Sequence, residues 1–159
     1  MRDHNQVLGL LLAGLDEAFN RKAWHGATLW GTLRGVSSEE AAWRPSPDRH
    51  NVWELTLHCA YWKYIVRRRL TGDRRRTFPL SGSDWFARPG DADEDWEQDR
   101  AILEREHEKL RAVVASLAAG ELRADAGGRD PVRIIRGIAA HDVYHTGQVR
   151  LLLRMQERG

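Results

Sequence analysis

The sequence predicts an all-α fold, a four-helix bundle with a short extra helix and a long connection between the second and third principal helices. Three observations lead there. Apolar residues recur every three or four positions over four long stretches. No segment shows persuasive strand alternation, internal repetition or low complexity. Amphipathic helices in that number must bury their apolar stripes against one another. A chain of 159 residues suits one core, so residues 1–159 are read as a single domain.

The first helix is expected over residues 3–19, where Val7, Leu8, Leu11, Leu12, Leu15 and Phe19 form its stripe. Residues 20–26 break it. Leu29, Trp30 and Leu33 resume helical spacing up to Gly35, a residue suited to a C-terminal stop. Ser37 or Ser38 caps the short extra helix, and Glu39 and Glu40 in its first turn offset the partial positive charge of the unpaired backbone N–H groups. Pro45, Pro47, Asp48 and Asn51 make residues 44–51 a loop. The second principal helix runs from about Val52 to Leu70, is ended by Gly72, and turns Leu55, His58, Trp62, Ile65 and Val66 inward.

Residues 72–91 form the long connection, holding Pro79, Gly82, Pro89 and Gly90, with Trp85 and Phe86 expected to pack down on the bundle. The third principal helix covers residues 93–119, where Trp96, Leu103, Leu110 and Leu117 recur every seven positions and Ile102, Val113 and Val114 widen the stripe. Asp99 and Glu106 share that frame and are expected at its wet edge; support for a metal site is the alternative. Pro131 opens the last helix, which reaches about Gln156 and turns Ile134, Ile138, His141, His145, Gln148 and Leu152 inward.

Bulk properties narrow the function classes. With 42% hydrophobic and 30% charged residues the composition is that of an ordinary soluble, folded chain. The only cysteine, Cys59, permits no internal disulfide, which favours a cytoplasmic home. The apolar run 7–15 imitates a signal-peptide core, but Asp16 and Glu17 follow it and no small-residue cleavage site does, so it is read as helix. No stretch approaches the roughly 20 apolar residues of a membrane span. A net charge of +2 and a pI near 9.0 are mildly basic. The triplets Arg67–Arg69 and Arg74–Arg76 accompany no nucleic-acid motif, so they read as solvated surface and no nucleic-acid partner is expected.

The histidines carry the chemistry. His141 and His145 in HDVYH stand four apart and project from one helix face, where two imidazoles can grip one ion. His58 lies in the inward stripe of another helix. Each taken alone reads as a core histidine satisfied by hydrogen bonds, but three inward rings on two helices favour a shared cation. Neutral imidazoles suit zinc, nickel or iron(II), and three protein ligands leave positions open. Cys59 lies about 100° around the helix from His58 and is expected to be a packed, inert thiol. Trp62 is a pocket-wall candidate with core packing as the alternative. Gln148 is a partner for a ligand-bound water or histidine, or else an ordinary bundle amide. His25 is a pocket candidate too, with helix capping or a surface position as the plainer reading.

The segments WHGATLWGTLRGVSSEEAAWRP, NVWELTLHCAYWKYIVRRRLTG and GIAAHDVYHTGQVRLLLR resemble the DinB/YfiT family of bacterial four-helix metal-binding proteins. The likeness covers nearly the whole chain. It implies that His58, His141 and His145 are the ligands of one divalent metal ion. It also implies, as a class, metal-dependent chemistry such as thiol S-transfer, isomerisation or hydrolysis, with a low-molecular-weight thiol or another small molecule as partner, and a homodimer. The rival expectation is a non-catalytic metal-binding or stress-response protein.

Overall fold

The computed structural model describes residues 2–157. Six helices follow in order: α1 (Arg2–Phe19), α2 (Leu29–Leu33), α3 (Ser38–Ala42), α4 (Val52–Thr71), α5 (Asp93–Ala119) and α6 (Pro131–Gln156). Among the described residues there is no strand beyond an isolated bridge, Ala23 to Gly26. The bundle is built from α1, α4, α5 and α6. Both α1 and α4 pack on α5 and on α6, so α1 and α4 occupy opposite corners. That diagonal explains the length of the chain between them: α2 packs on α1 and α6, α3 on α4 and α5, and together they carry residues 20–51 across one end of the bundle.

Local chemistry sets the helix ends. Ser37 and Glu40 form a reciprocal capping box at α3, each side chain satisfying the other's backbone N–H at 3.1 and 2.8 Å. Asn51 caps α4 by accepting from the Glu54 N–H at 2.8 Å, and Asp130 caps α6 with Pro131 in the first turn. Gly72 ends α4 in the left-handed region, φ 69°, against the Asp125 carboxylate, where a β-carbon would collide.

Three expectations about burial are corrected. The N-terminal half of α4 is covered on all sides, Val52 through Ala60 being buried without interruption. One inward stripe does not describe it, because the long connection folds back over the helix: Phe78 and Phe86 pack edge-on or tilted against Tyr61. On α6 the buried face is Ile135, Ile138, Asp142, His145, Thr146, Val149 and Leu152, rotated from the expected stripe so that His141 and Gln148 stand at its margin. Asp99 and Glu106 are not at a wet edge. Asp99 is 2% exposed, accepts from the Trp53 indole at 2.9 Å and pairs with Arg88 at 2.7 Å; Glu106 pairs with Lys109 at 2.7 Å. These partners satisfy carboxylates that the heptad frame carries into the interior.

The rotation of α6 has a cause on α4. Asp142 and Lys63 form an ion pair with both side chains wholly buried. The Lys63 ammonium also lies 5.0 Å from the centre of the Phe19 ring, and His107 stacks on the other members of this layer through Phe19, ring centres 3.6 Å apart. Among the described residues neither His107 nitrogen has a hydrogen-bond partner. Among the described residues no helix is long and apolar enough to cross a membrane.

Candidate metal centre

His58 comes from the buried half of α4, and His141 and His145 from successive turns of α6, a neighbour of α4 in the bundle. The three Nε2 atoms face a common centre: His141 Nε2 is 3.1 Å from that of His58 and 3.1 Å from that of His145. One potential ligand atom from each residue lies within 4.8 Å of the others.

The outer ring nitrogens decide what the inner ones offer. His58 Nδ1 lies 3.0 Å from the Asp84 carbonyl oxygen, which can only accept, so this nitrogen carries the proton and donates it. His145 Nδ1 likewise donates to Gln148 Oε1 at 2.6 Å, and the Gln148 amide group donates in turn to the Tyr144 hydroxyl at 3.2 Å. Burial lowers the pKa of His58 and His145, and it lowers that of His141 to about 3, reinforced by His145 and His58. Neutral rings protonated at Nδ1 present Nε2 lone pairs to the centre. A single hydrogen on His141 Nε2 can satisfy one of its two neighbours and leaves the lone pair of the other without a donor, while His141 Nδ1 stays buried with no partner among the described residues. The cluster is thus compatible with a cation. A 3.1 Å spacing also suits nitrogens each roughly 2.0–2.1 Å from one zinc-class ion.

A family profile of the DinB superfamily matches residues 4–149. The chain belongs to the DinB superfamily. No match was found among curated proteins or among solved structures.

In this DinB-superfamily chain the long connection supplies the roof of the cluster, a contribution the sequence reading located only as packed aromatics. Trp85 lies between two imidazoles, stacked on His58 at 3.9 Å and on His50 at 3.6 Å. Asp84 adopts φ 66°, the only non-glycine residue among those described with positive φ. That left-handed turn, which aspartate tolerates better than most residues, lets one residue serve two partners. Its carbonyl receives the His58 proton, and its carboxylate accepts from the Trp62 indole at 2.7 Å while lying 3.1 Å from His58 Nδ1. The signal available in the sequence was the turn residue Gly82 before Asp84 and Trp85.

Two cavities flank the histidines. One, of about 660 Å³, is largely apolar and is lined by Leu55, Trp85, Tyr144, His145, Gln148, Leu151 and Met155 among others. The second, of about 560 Å³, reaches His141 beside Trp62 and Ile138. Trp62 and Gln148 therefore each line one of these spaces. His25 lines neither: it is exposed in the turn after α1, where the chain leaves the bundle before α2. Cys59, His141 and Asp142 form a second set of nearby donor atoms. It suits a cation poorly, since Asp142 is committed to the Lys63 ammonium and burial holds the Cys59 thiol protonated, its pKa pushed well above the usual range.

Proposed function

We propose that this protein is a metal-dependent enzyme of the thiol S-transferase or hydrolase type, in which His58, His141 and His145 hold one divalent ion. The observation that supports it is the convergence of three Nε2 atoms, two of them fixed as lone-pair donors by hydrogen bonds at Nδ1. Zinc, nickel and iron(II) all accept such a donor set. A bound ion of this kind supplies Lewis acidity toward a thiol or a water. Asp84 and Gln148 hold the ligand rings in one tautomer and one orientation. Trp85 covers the His58 face, and the apolar cavity beside His145 takes the hydrophobic part of a small substrate. Against the storage or sensing alternative stands the ligand set: among the described residues it has three members, as an open site requires.

Elemental analysis tests the ligand assignment. Wild type should carry one ion per chain, and His141→Ala and His145→Ala close to none. Gln148→Ala, which removes the side-chain oxygen that accepts from His145 Nδ1, should keep the site with affinity weakened roughly 10–100-fold, the usual cost of losing a hydrogen-bond partner of a ligand histidine. Wild-type metal content in both histidine variants rules the assignment out. Incubating loaded protein with a panel of cellular thiols and electrophiles then separates enzyme from store: turnover no greater than that of His145→Ala decides for the store.

A homodimer and a cytoplasmic location belong to the same reading. Leu10, 75% exposed, and Trp24, fully exposed, support the dimer. Light scattering should give twice the chain mass of 18.2 kDa, and a monomer throughout the micromolar range would dismiss it.

A further inference from the structure

The cavity that reaches His141 differs in kind from its apolar neighbour. Arg69 enters it from α4, Arg129 from the loop before α6, and Arg133 from the first turn of α6, over a floor made by Val66, Ile134 and Ile138. Among the described residues none of these three guanidinium groups has a carboxylate within ion-pair distance. The single acid in the lining, Asp130, has its Oδ1 committed to the Val132 N–H at 3.0 Å as the cap of α6. Arg69 is held over the Trp62 ring at 5.5 Å, which orients its fork along the cavity wall. Uncompensated cations around one concavity that ends on a half-buried histidine select an anion.

Gly137 adds an independent observation. It sits mid-helix, four residues after Arg133 and four before His141, on the face that lines the cavity. A glycine there costs about 1 kcal/mol relative to alanine. No packing requires it, because a β-carbon would meet nothing within 4 Å. The missing side chain keeps the passage between the arginines and the histidine clear.

We propose that this cavity is a carboxylate subsite. It takes the acidic end of a small organic acid, the substrate or the thiol co-substrate of the adjoining centre, and Arg129 and Arg133 supply the forked donors that match a carboxylate. Arg133 and His141 are eight positions apart on α6, about 12 Å of helix axis. The acid is therefore a small one, able to lie within that span. The chemistry at that atom rests on the metal reading above, whereas the binding of the acid does not.

Calorimetric titration with succinate and glutarate, against neutral succinamide and inorganic phosphate, tests this on the metal-loaded full chain and on His141→Ala. The diacids should bind and succinamide should not. Arg129→Ala with Arg133→Ala should weaken diacid binding by about tenfold or more, Arg133→Lys should weaken it less, and metal content should stay at the wild-type level. Gly137→Leu should abolish binding while melting no lower than wild type. In His141→Ala the arginine-dependent part of the affinity should persist; that result in a chain without metal, or in a wild type that never takes metal up, upholds the subsite and counts only against the metal reading. The proposal is overturned if no diacid binds at millimolar concentration or if the arginine variants stay within twofold of wild type. It is equally overturned if phosphate competes better than the diacids, or if binding vanishes entirely in His141→Ala, which would make the acid a ligand of the ion alone.

Discussion

Lys63→Met is expected to lower the unfolding free energy by about 3–5 kcal/mol, because it strands the Asp142 carboxylate in the interior without its counter-charge. Asp142 already has one oxygen without a partner, so no second donor stands ready to compensate. Removing both charges is a different matter: Lys63→Met with Asp142→Val should recover most of the loss, since a buried ion pair contributes little beyond the desolvation it must repay. Burial raises the Asp142 pKa, against the influence of Lys63. In the single variant that opposition is gone, the carboxyl protonates more readily, and the penalty should be smaller at pH 5 than at pH 8. Urea unfolding of the wild type, the two single variants and the double variant measures all four corners of the cycle. A single-variant cost under about 1 kcal/mol, or a double variant no better than Lys63→Met, would refute the assignment.

The second large effect is acid sensitivity from His107. Burial, with Lys63 and Arg111 nearby, lowers its pKa from 6.5 to about 2. In the unfolded chain the ring takes up its proton near pH 6.5, and in the folded chain it does not, so the unfolded state binds more protons throughout the window between those values. Stability is therefore full above pH 6.5 and falls as the pH drops, by about 1.4 kcal/mol per unit from this residue alone. By pH 4.5 the loss amounts to about 3 kcal/mol. His107→Phe preserves the stack on Phe19, removes two unpartnered nitrogens and abolishes that slope. Denaturation in the presence of chelator at pH 7 and pH 4.5 should show the wild type losing about 3 kcal/mol more than the variant. Equal losses would show that His107 takes up protons in the folded state.

The principal helices were legible because two kinds of signal agreed. Apolar periodicity marked the four long helices, and Gly72 and Pro131 marked where α4 stops and α6 begins. The histidines were legible for a related reason: i, i+4 spacing on α6 and an inward position on α4 are properties of single helices. What failed to show required knowing which helices meet. Asp142 reads as a polar residue between two histidines until Lys63 of α4 is placed against it, and that pairing turns the whole buried face of α6. Asp99 and Glu106 escaped for the same reason, since Trp53 and Arg88, which satisfy Asp99, and Arg67, which meets Glu106, come from outside α5. Asp84 and Trp85 lie in a connection without periodicity, where position depends on one left-handed residue. For His25 the plainer of the two readings, a surface position, is the one the structure has, because a turn that leaves the bundle carries its side chain outward.

The diagonal arrangement of α1 and α4 bears on how the chain assembles. His58 and His141 are 83 positions apart in sequence, and the rings meet only once α4 and α6 lie side by side. Closing so long a segment is expected late on the folding route, after the local turns and the contacts of α4 with α5 have formed. An interaction absent from the rate-limiting ensemble leaves the speed of folding unchanged and acts on the way out. Loss of the imidazole cluster, as in His58→Ala, is accordingly expected to speed unfolding and leave the refolding rate unchanged, which stopped-flow mixing into and out of urea measures.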